Sequence, residues 1–186
     1  MRVAKWSLLA AGVALGTAAC GVVTTVGTDF EPTLDFGRYA TFAWDEAEII
    51  RTADVRLENN PFFKERLFEA VERELSKRGI RRDESSPELL VHYHLSVADH
   101  IEVHEANPDS GYPTSQYDAE TNVVQYEQGI FILHFRDAET HEDLWFGWAR
   151  GDIGPALTDP EKMREWVDEA VGLILEDFPL LGNISP

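Results

Sequence analysis

Leu89-Leu90-Val91-His92-Tyr93-His94-Leu95-Ser96-Val97 is the stretch from which the fold is read. Leu89, Val91, Tyr93, Leu95 and Val97 share one side of a period-2 pattern, and His92, His94 and Ser96 share the other. Successive side chains leave a strand on opposite sides, so this alternation marks a β-strand with one buried face. Gly129 to Arg136 and Leu144 to Arg150 read as two further strands, joined at Asp137-Ala138-Glu139-Thr140 into an antiparallel hairpin. Phe131, Leu133 and Phe135 alternate with Ile130, Ile132 and His134, so the first of these strands is apolar on both sides. Upstream, Val22, Val26 and Phe30 oppose Val23, Thr25 and Gly27, and Tyr39 to Trp44 sets Phe42 and Trp44 against Thr41 and Ala43.

Two helices separate and follow these strands. Asn60 is a good N-cap, Pro61 occupies the first helical position where its missing N–H costs nothing, and Gly79 supplies a left-handed stop. Between them Phe63, Leu67, Ala70, Val71 and Leu75 recur at helical spacing. The second helix is expected to open at Thr158-Asp159-Pro160-Glu161, a capping box in form, and to end at Pro179. Met163, Val167, Ala170, Val171, Ile174 and Phe178 line its apolar side. Residues 45–58 read as an acidic connector, and 105–122, with three turn signals, as a long mobile loop. An amphipathic helix needs an apolar surface to cover, and a sheet offers one. The expected fold is therefore α+β: a two-layer sandwich, a mostly antiparallel sheet of about five strands with two helices on one face, in a single domain over residues 20–186.

Composition narrows the function classes. The chain has 186 residues, with 16 basic against 34 acidic side chains and a net charge of −18. A phosphate backbone requires clustered Lys and Arg, so nucleic acid is excluded as a partner. A single cysteine excludes an intramolecular disulfide framework and a Cys-based zinc site.

That cysteine lies in an address segment. Arg2 and Lys5 form a basic start, and Trp6 to Ala19 is uncharged and mostly apolar. At 1.5 Å per residue this helix would reach only about 21 Å, short of a hydrocarbon core about 30 Å thick, so it is an export signal rather than a span. Ala18-Ala19-Cys20-Gly21 resembles the lipobox of bacterial lipoproteins, whose cysteine is lipidated and becomes the mature N-terminus; Thr17 stands where that motif usually has an aliphatic residue. The resemblance implies a signal peptide over residues 1–19, lipidation at Cys20, and, with Gly21 in place of an inner-membrane-retaining Asp, anchoring at the outer membrane. Several acyl chains hold a domain on a membrane durably, since each buried CH₂ contributes about 0.8 kcal/mol. Removing residues 1–19 takes away Arg2 and Lys5 and no carboxylate, so the mature part is more acidic still and is expected to stand off anionic head groups.

Across the mature chain, the run into Asp29-Phe30, the Phe36-x-x-Tyr39-x-Thr41-Phe42-Ala43-Trp44 segment and the Asn60-Pro61 helix ending Lys77-Arg78-Gly79 stand in a particular order. Pro87-Glu88-Leu89-Leu90-Val91-x-Tyr93, the hairpin Gly129 to Trp148 with Asp137-Ala138-x-Thr140, and the close at Phe178-Pro179 complete it. Together they resemble the domain-of-unknown-function 4136 family of bacterial lipoproteins. The resemblance implies a periplasm-facing lipoprotein domain in a Gram-negative envelope, and the family has no agreed activity from which catalytic residues could be carried over. Loop 105–122 departs from it in being acidic and polar.

The residues that carry chemistry are few. His92 and His94 share a strand face, and His100 and His104 keep the same parity if the strand continues; imidazoles so placed are candidate ligands for zinc, copper or nickel, with Asp99, Glu102 or His134 completing a shell. A solvated polar strand face accounts for the same pattern. There is no Gly-x-Ser-x-Gly elbow, and His141-Glu142-Asp143-Leu144-Trp145 is not an HExxH motif, so no catalytic residue is assigned and an enzyme is not expected. Trp145 and Trp148 have opposite parity, so one helix layer leaves one of them near the surface, and the open sheet face becomes the expected interaction surface. The leading expectation is an outer-membrane-anchored, non-enzymatic binding or scaffold module without a cofactor, its contacts being the membrane and an envelope protein. The alternative is a metal-binding lipoprotein using the strand histidines.

Overall fold

A computed structural model of the chain describes residues 23–45, 54–58, 60–104 and 122–179, apart from the side chains of His104 and Asn122. The expected signal segment, Cys20 and most of the 105–122 loop lie outside these residues. The strands are β1 (Val23–Phe30), β2 (Thr41–Trp44), β3 (Arg81–Arg82), β4 (Leu89–His104), β5 (Asn122–Asp137) and β6 (Asp143–Asp152). The helices are α1 (Val55–Glu58), α2 (Pro61–Lys77), α3 (Gly154–Thr158) and α4 (Pro160–Glu176). Asn60 caps α2 by accepting from the Phe62 and Phe63 amides, and Gly79 ends it at φ 83°. The cap of α4 is Asp159, not Thr158: its carboxylate accepts from the Glu161 and Lys162 amides.

The strands form one six-stranded sheet in the order β1-β6-β5-β4-β2-β3. This corrects the expectation of about five mostly antiparallel strands, for the sheet is partly parallel: β2 runs parallel to both β3 and β4. The reason is the crossover. The chain leaves β2, passes through α2 and returns, and a helix between two strands of one sheet brings the second back parallel to the first. The extra strand, β3, is two arginines long and carries no periodicity to read.

The core lies between the sheet and the layer of α2 and α4. Leu89, Val91, Tyr93 and Leu95 of β4, Phe131, Leu133 and Phe135 of β5, and Trp145 and Ala149 of β6 all face it. α2 presents the apolar stripe expected of it, and so does α4 with Trp166 and Leu175 added, except that α4 ends at Glu176 and Phe178 is buried just beyond it. Trp44 stacks on Phe68 of α2 with centroids 3.9 Å apart. Among these large side chains sits Gly147, where an added Cβ would lie 2.1 Å from the Trp145 ring and 2.6 Å from Ile174.

The β5–β6 turn is tied down by Asp137, which is buried. Its Oδ1 accepts from the Glu139 and Thr140 amides at 2.9 Å each. Its Oδ2 accepts from the Tyr39 hydroxyl at 2.8 Å and from Arg38 at 3.0 Å. The Thr140 amide foremost, then Tyr39, Glu139 and Arg38, hold its pKa down to about 2 against the cost of burial.

Two outcomes are expected. Gly147→Ala should lower stability by about 1–3 kcal/mol, since neither Trp145 nor Ile174 has room to move, as read by denaturant melts. Asp137 titrates lower folded than unfolded, so its contribution is whole above about pH 4 and is lost as pH falls toward 2. Asp137→Asn should therefore cost about 2 kcal/mol at neutral pH, with the gap to wild type closing across that acid window.

Candidate binding face of the sheet

Alternation leaves the even-numbered residues of β4, β5 and β6 on the face away from the helices. Cross-strand register aligns them in rows: Ser96, Ile130, Arg150 and Thr25; His94, Ile132, Trp148 and Gly27; His92, His134, Phe146 and Asp29. Trp148 lies flat over β1 because Gly27 has no side chain; a Cβ there would sit 2.8 Å from the indole. Arg150 reaches across to the Thr25 hydroxyl at 3.3 Å. The middle of the face is a half-buried apolar and imidazole surface, and at one corner Phe30, His134, Asp143 and Phe146 help to line an open cleft of about 320 Å³.

The histidines form a chain. His134 Nε2 lies 3.2 Å from Asp143 Oδ1, and His134 Nδ1 lies 2.9 Å from His92 Nε2. The carboxylate favours the proton on His134 Nε2, which leaves Nδ1 as acceptor and makes His92 Nε2–H the donor. His92 Nδ1 is then a bare acceptor, and it is buried without a hydrogen-bond partner. Burial first, then the neighbouring imidazoles His134 and His94, pull the His92 pKa down to about 4. Burial also lowers that of His134, with Asp143 opposing. Both imidazoles are neutral at pH 7.

The four-histidine metal set is not assembled. His92 and His94 are neighbours with ring centroids 5.1 Å apart, but His100 is eight residues along the same strand from His92, or about 26 Å away. There it lies beside Tyr126, with ring centroids 5.1 Å apart. The side chain of His104 lies outside the described residues. Among the described residues no three His, Cys, Asp or Glu side chains are grouped to hold a metal ion. Of the two tryptophans, Trp145 is 1% exposed and belongs to the core, whereas Trp148 lies on the open face. Phe146, which the sequence offers beside the two tryptophans as a contact aromatic, lies here too, whereas Ile132, Arg150 and Asp143 belong to this region without having been singled out as contact residues. Arg150 shares the parity of Trp148, which is the signal that could have found it; the alignment with Ile132 depended on strand register.

Protonating His92 is opposed in the fold but not in the unfolded chain, so stability is whole above about pH 6.5 and falls between there and pH 4. Wild type should lose about 2–4 kcal/mol over that window through this residue, and His92→Gln should show a flatter profile in pH-dependent melts.

Comparison with known proteins places the fold. No curated protein matches in sequence. A PDZ domain protein from Parabacteroides distasonis shares 20% identity and a TM-score of 0.53 over 84% of this chain. The chain spans only 36% of that protein's length. A DUF4136 family protein from Bacteroides thetaiotaomicron is 15% identical with a TM-score of 0.49, covering 82% of this chain and 95% of its own. A PelC dodecamer from Paraburkholderia phytofirmans gives 10% identity and a TM-score of 0.45 over 81% of this chain and 94% of its own. The family model for Domain of unknown function (DUF4136) matches residues 26–180, from within β1 to just beyond α4, and the chain belongs to that family.

Proposed function

We propose that this protein is an envelope lipoprotein, lipidated at Cys20 and held at the outer membrane with its domain in the periplasm, that acts as a non-enzymatic binding or scaffold module. The anchor is supported by the basic start at Arg2 and Lys5, the short apolar run after it, and the small residues that flank the sole cysteine. No helix among the described residues is long and apolar enough to cross a membrane. The binding role is carried by the open sheet face. Trp148 and Phe146 lie beside Ile132 and Ile130 with Arg150 at the margin, the aromatic-and-arginine composition enriched at protein contact sites. A metal-binding role has no three-ligand group among the described residues to support it.

Cys20→Ser should move the protein from the membrane pellet to the soluble fraction, and unchanged fractionation defeats the anchor. Trp148→Ala should cost only about 1–2 kcal/mol of stability while weakening crosslinks to its envelope partner. Trp145→Ala, a core deletion, should cost about 3–5 kcal/mol. Equal losses for the two would mean that Trp148 is structural and that the open face is not the contact surface.

A further inference from the structure

We propose that one end of the domain, formed by the β4–β5 arm and the start of the helix layer, lies against the membrane and dips apolar side chains into its interfacial region. This rests on the lipid anchor at Cys20 proposed above.

The register sets the direction. Val23, the first residue of β1, is level with Gly151 of β6, Gly129 of β5 and Val97 of β4. Val23 is pinned there, its amide donating to Glu169 of α4 at 3.3 Å. The segment bearing Cys20 therefore joins the sheet at the end where β6 stops and β4 and β5 run on as a two-stranded arm. From Val97 to Val103 that arm adds about 20 Å, whereas the three residue steps from Cys20 to Val23 span at most about 10 Å. A lipid at Cys20 holds the bilayer surface nearer to the sheet than the arm is long. The domain cannot stand upright on its tether, so it tilts, and the arm comes to rest on the surface.

The side chains at this end fit that contact. Ile101, Val103 and Val123 share the helix-side face of the arm, because their register gives them the parity of the core residues further along the same strands. Val55 of α1 and Phe62 of α2 are at the same end, since Arg56 is paired with Glu127 of β5 at 2.5 Å and Phe62 shares a cleft with Leu157 of α3. These five apolar residues are each between 56% and 74% exposed. With Val124 they make up six of the seven large hydrophobic residues exposed among those described, and only Phe30 lies elsewhere. Nearby charge is partly cancelled, because Arg56 bridges Asp54 and Glu127. Valine, isoleucine and phenylalanine side chains can enter the interfacial layer while the backbone edges of the ribbon stay among hydrated head groups.

The test is photo-crosslinking in the full chain, expressed and exported in a Gram-negative host. The crosslinker p-benzoylphenylalanine replaces Val103, Phe62 or, as a control in the turn at the opposite end, Glu139; all three positions are exposed, so the fold tolerates the change. Irradiated envelopes should give phospholipid adducts at 103 and 62 and none at 139. Absence of lipid adducts at 103 and 62, or adducts there with another polypeptide or a second copy, overturns the proposal. Metabolic labelling with a palmitate analogue separates the two failures. A labelled protein without lipid adducts at 103 and 62 loses only this orientation, whereas an unlabelled, soluble protein loses the anchor itself.

Discussion

The register between β4, β5 and β6 is the constraint on which everything else rests. It stacks Leu133 between Tyr93 and Gly147, and Phe135 between Val91 and Trp145, so that one parity of three neighbouring strands supplies the floor of the core. A slip of one residue in β5 would carry His134 and Arg136 under the helices and expel Leu133 and Phe135. The helix layer enforces the choice sterically as well. Ile174 approaches the sheet where Gly147 offers no side chain, and only this phase of β6 puts a glycine there. The open face is the complement of the same decision: His92, His94, His134 and Trp148 share it because the core residues between them are fixed.

Most of this was legible in sequence wherever a period was strong. The stripe from Phe63 to Leu75, with Asn60 before it and Gly79 after, describes α2 as it stands. The buried parity of β4 held because Val, Tyr and Leu alternate with His and Ser. The partly parallel sheet was missed although its cause was present, a helix lying between two strands, because strand order is not written in alternation. β3 could not have been found, since two exposed arginines owe their strand geometry to the neighbouring backbone of β2. The cap of α4 was misplaced by one residue because Thr158 and Asp159 are both good caps, and the choice between them depends on α3, whose five residues are too few to show a helical period.

The histidines show how a shared strand face read from sequence does not by itself bring its members together. Alternation predicted that His92 and His94 share a face, and they do. A metal needs donors converging within a few ångströms, whereas residues of one parity on one strand recede by about 6.6 Å at each step. Convergence has to come from the neighbouring strand, and it does so through His134, which stands opposite His92. The two rings spend their facing nitrogens on each other. What results is a pair of neutral imidazoles, His92 buried and His134 half-buried, with Asp143 at one end and an unsatisfied acceptor at the other, whose electrostatic cost rises as protons become available.

Charge and covalent reach pull the domain in opposite directions. A net charge of −18 argues for distance from anionic lipid, but exposed charges are screened over about 8 Å at physiological salt and act weakly on a zwitterionic surface. A covalent tether is not screened. With Cys20 lipidated, three residues of chain hold the first strand within about 10 Å of the bilayer whatever the charge. The domain then has only its orientation left to adjust, and side chains such as Phe62 and Ile101 decide it, since burying such a side chain fully is worth about 1.5–3 kcal/mol. Asp99 and Glu102 travel with the arm, but much of the acidic surface is carried away from the membrane in that pose. The carboxylates Asp35, Glu84 and Glu139 lie at the far end, beside the turns that precede β2 and join β5 to β6 or near β3, so tilting the arm onto the membrane turns them toward solvent.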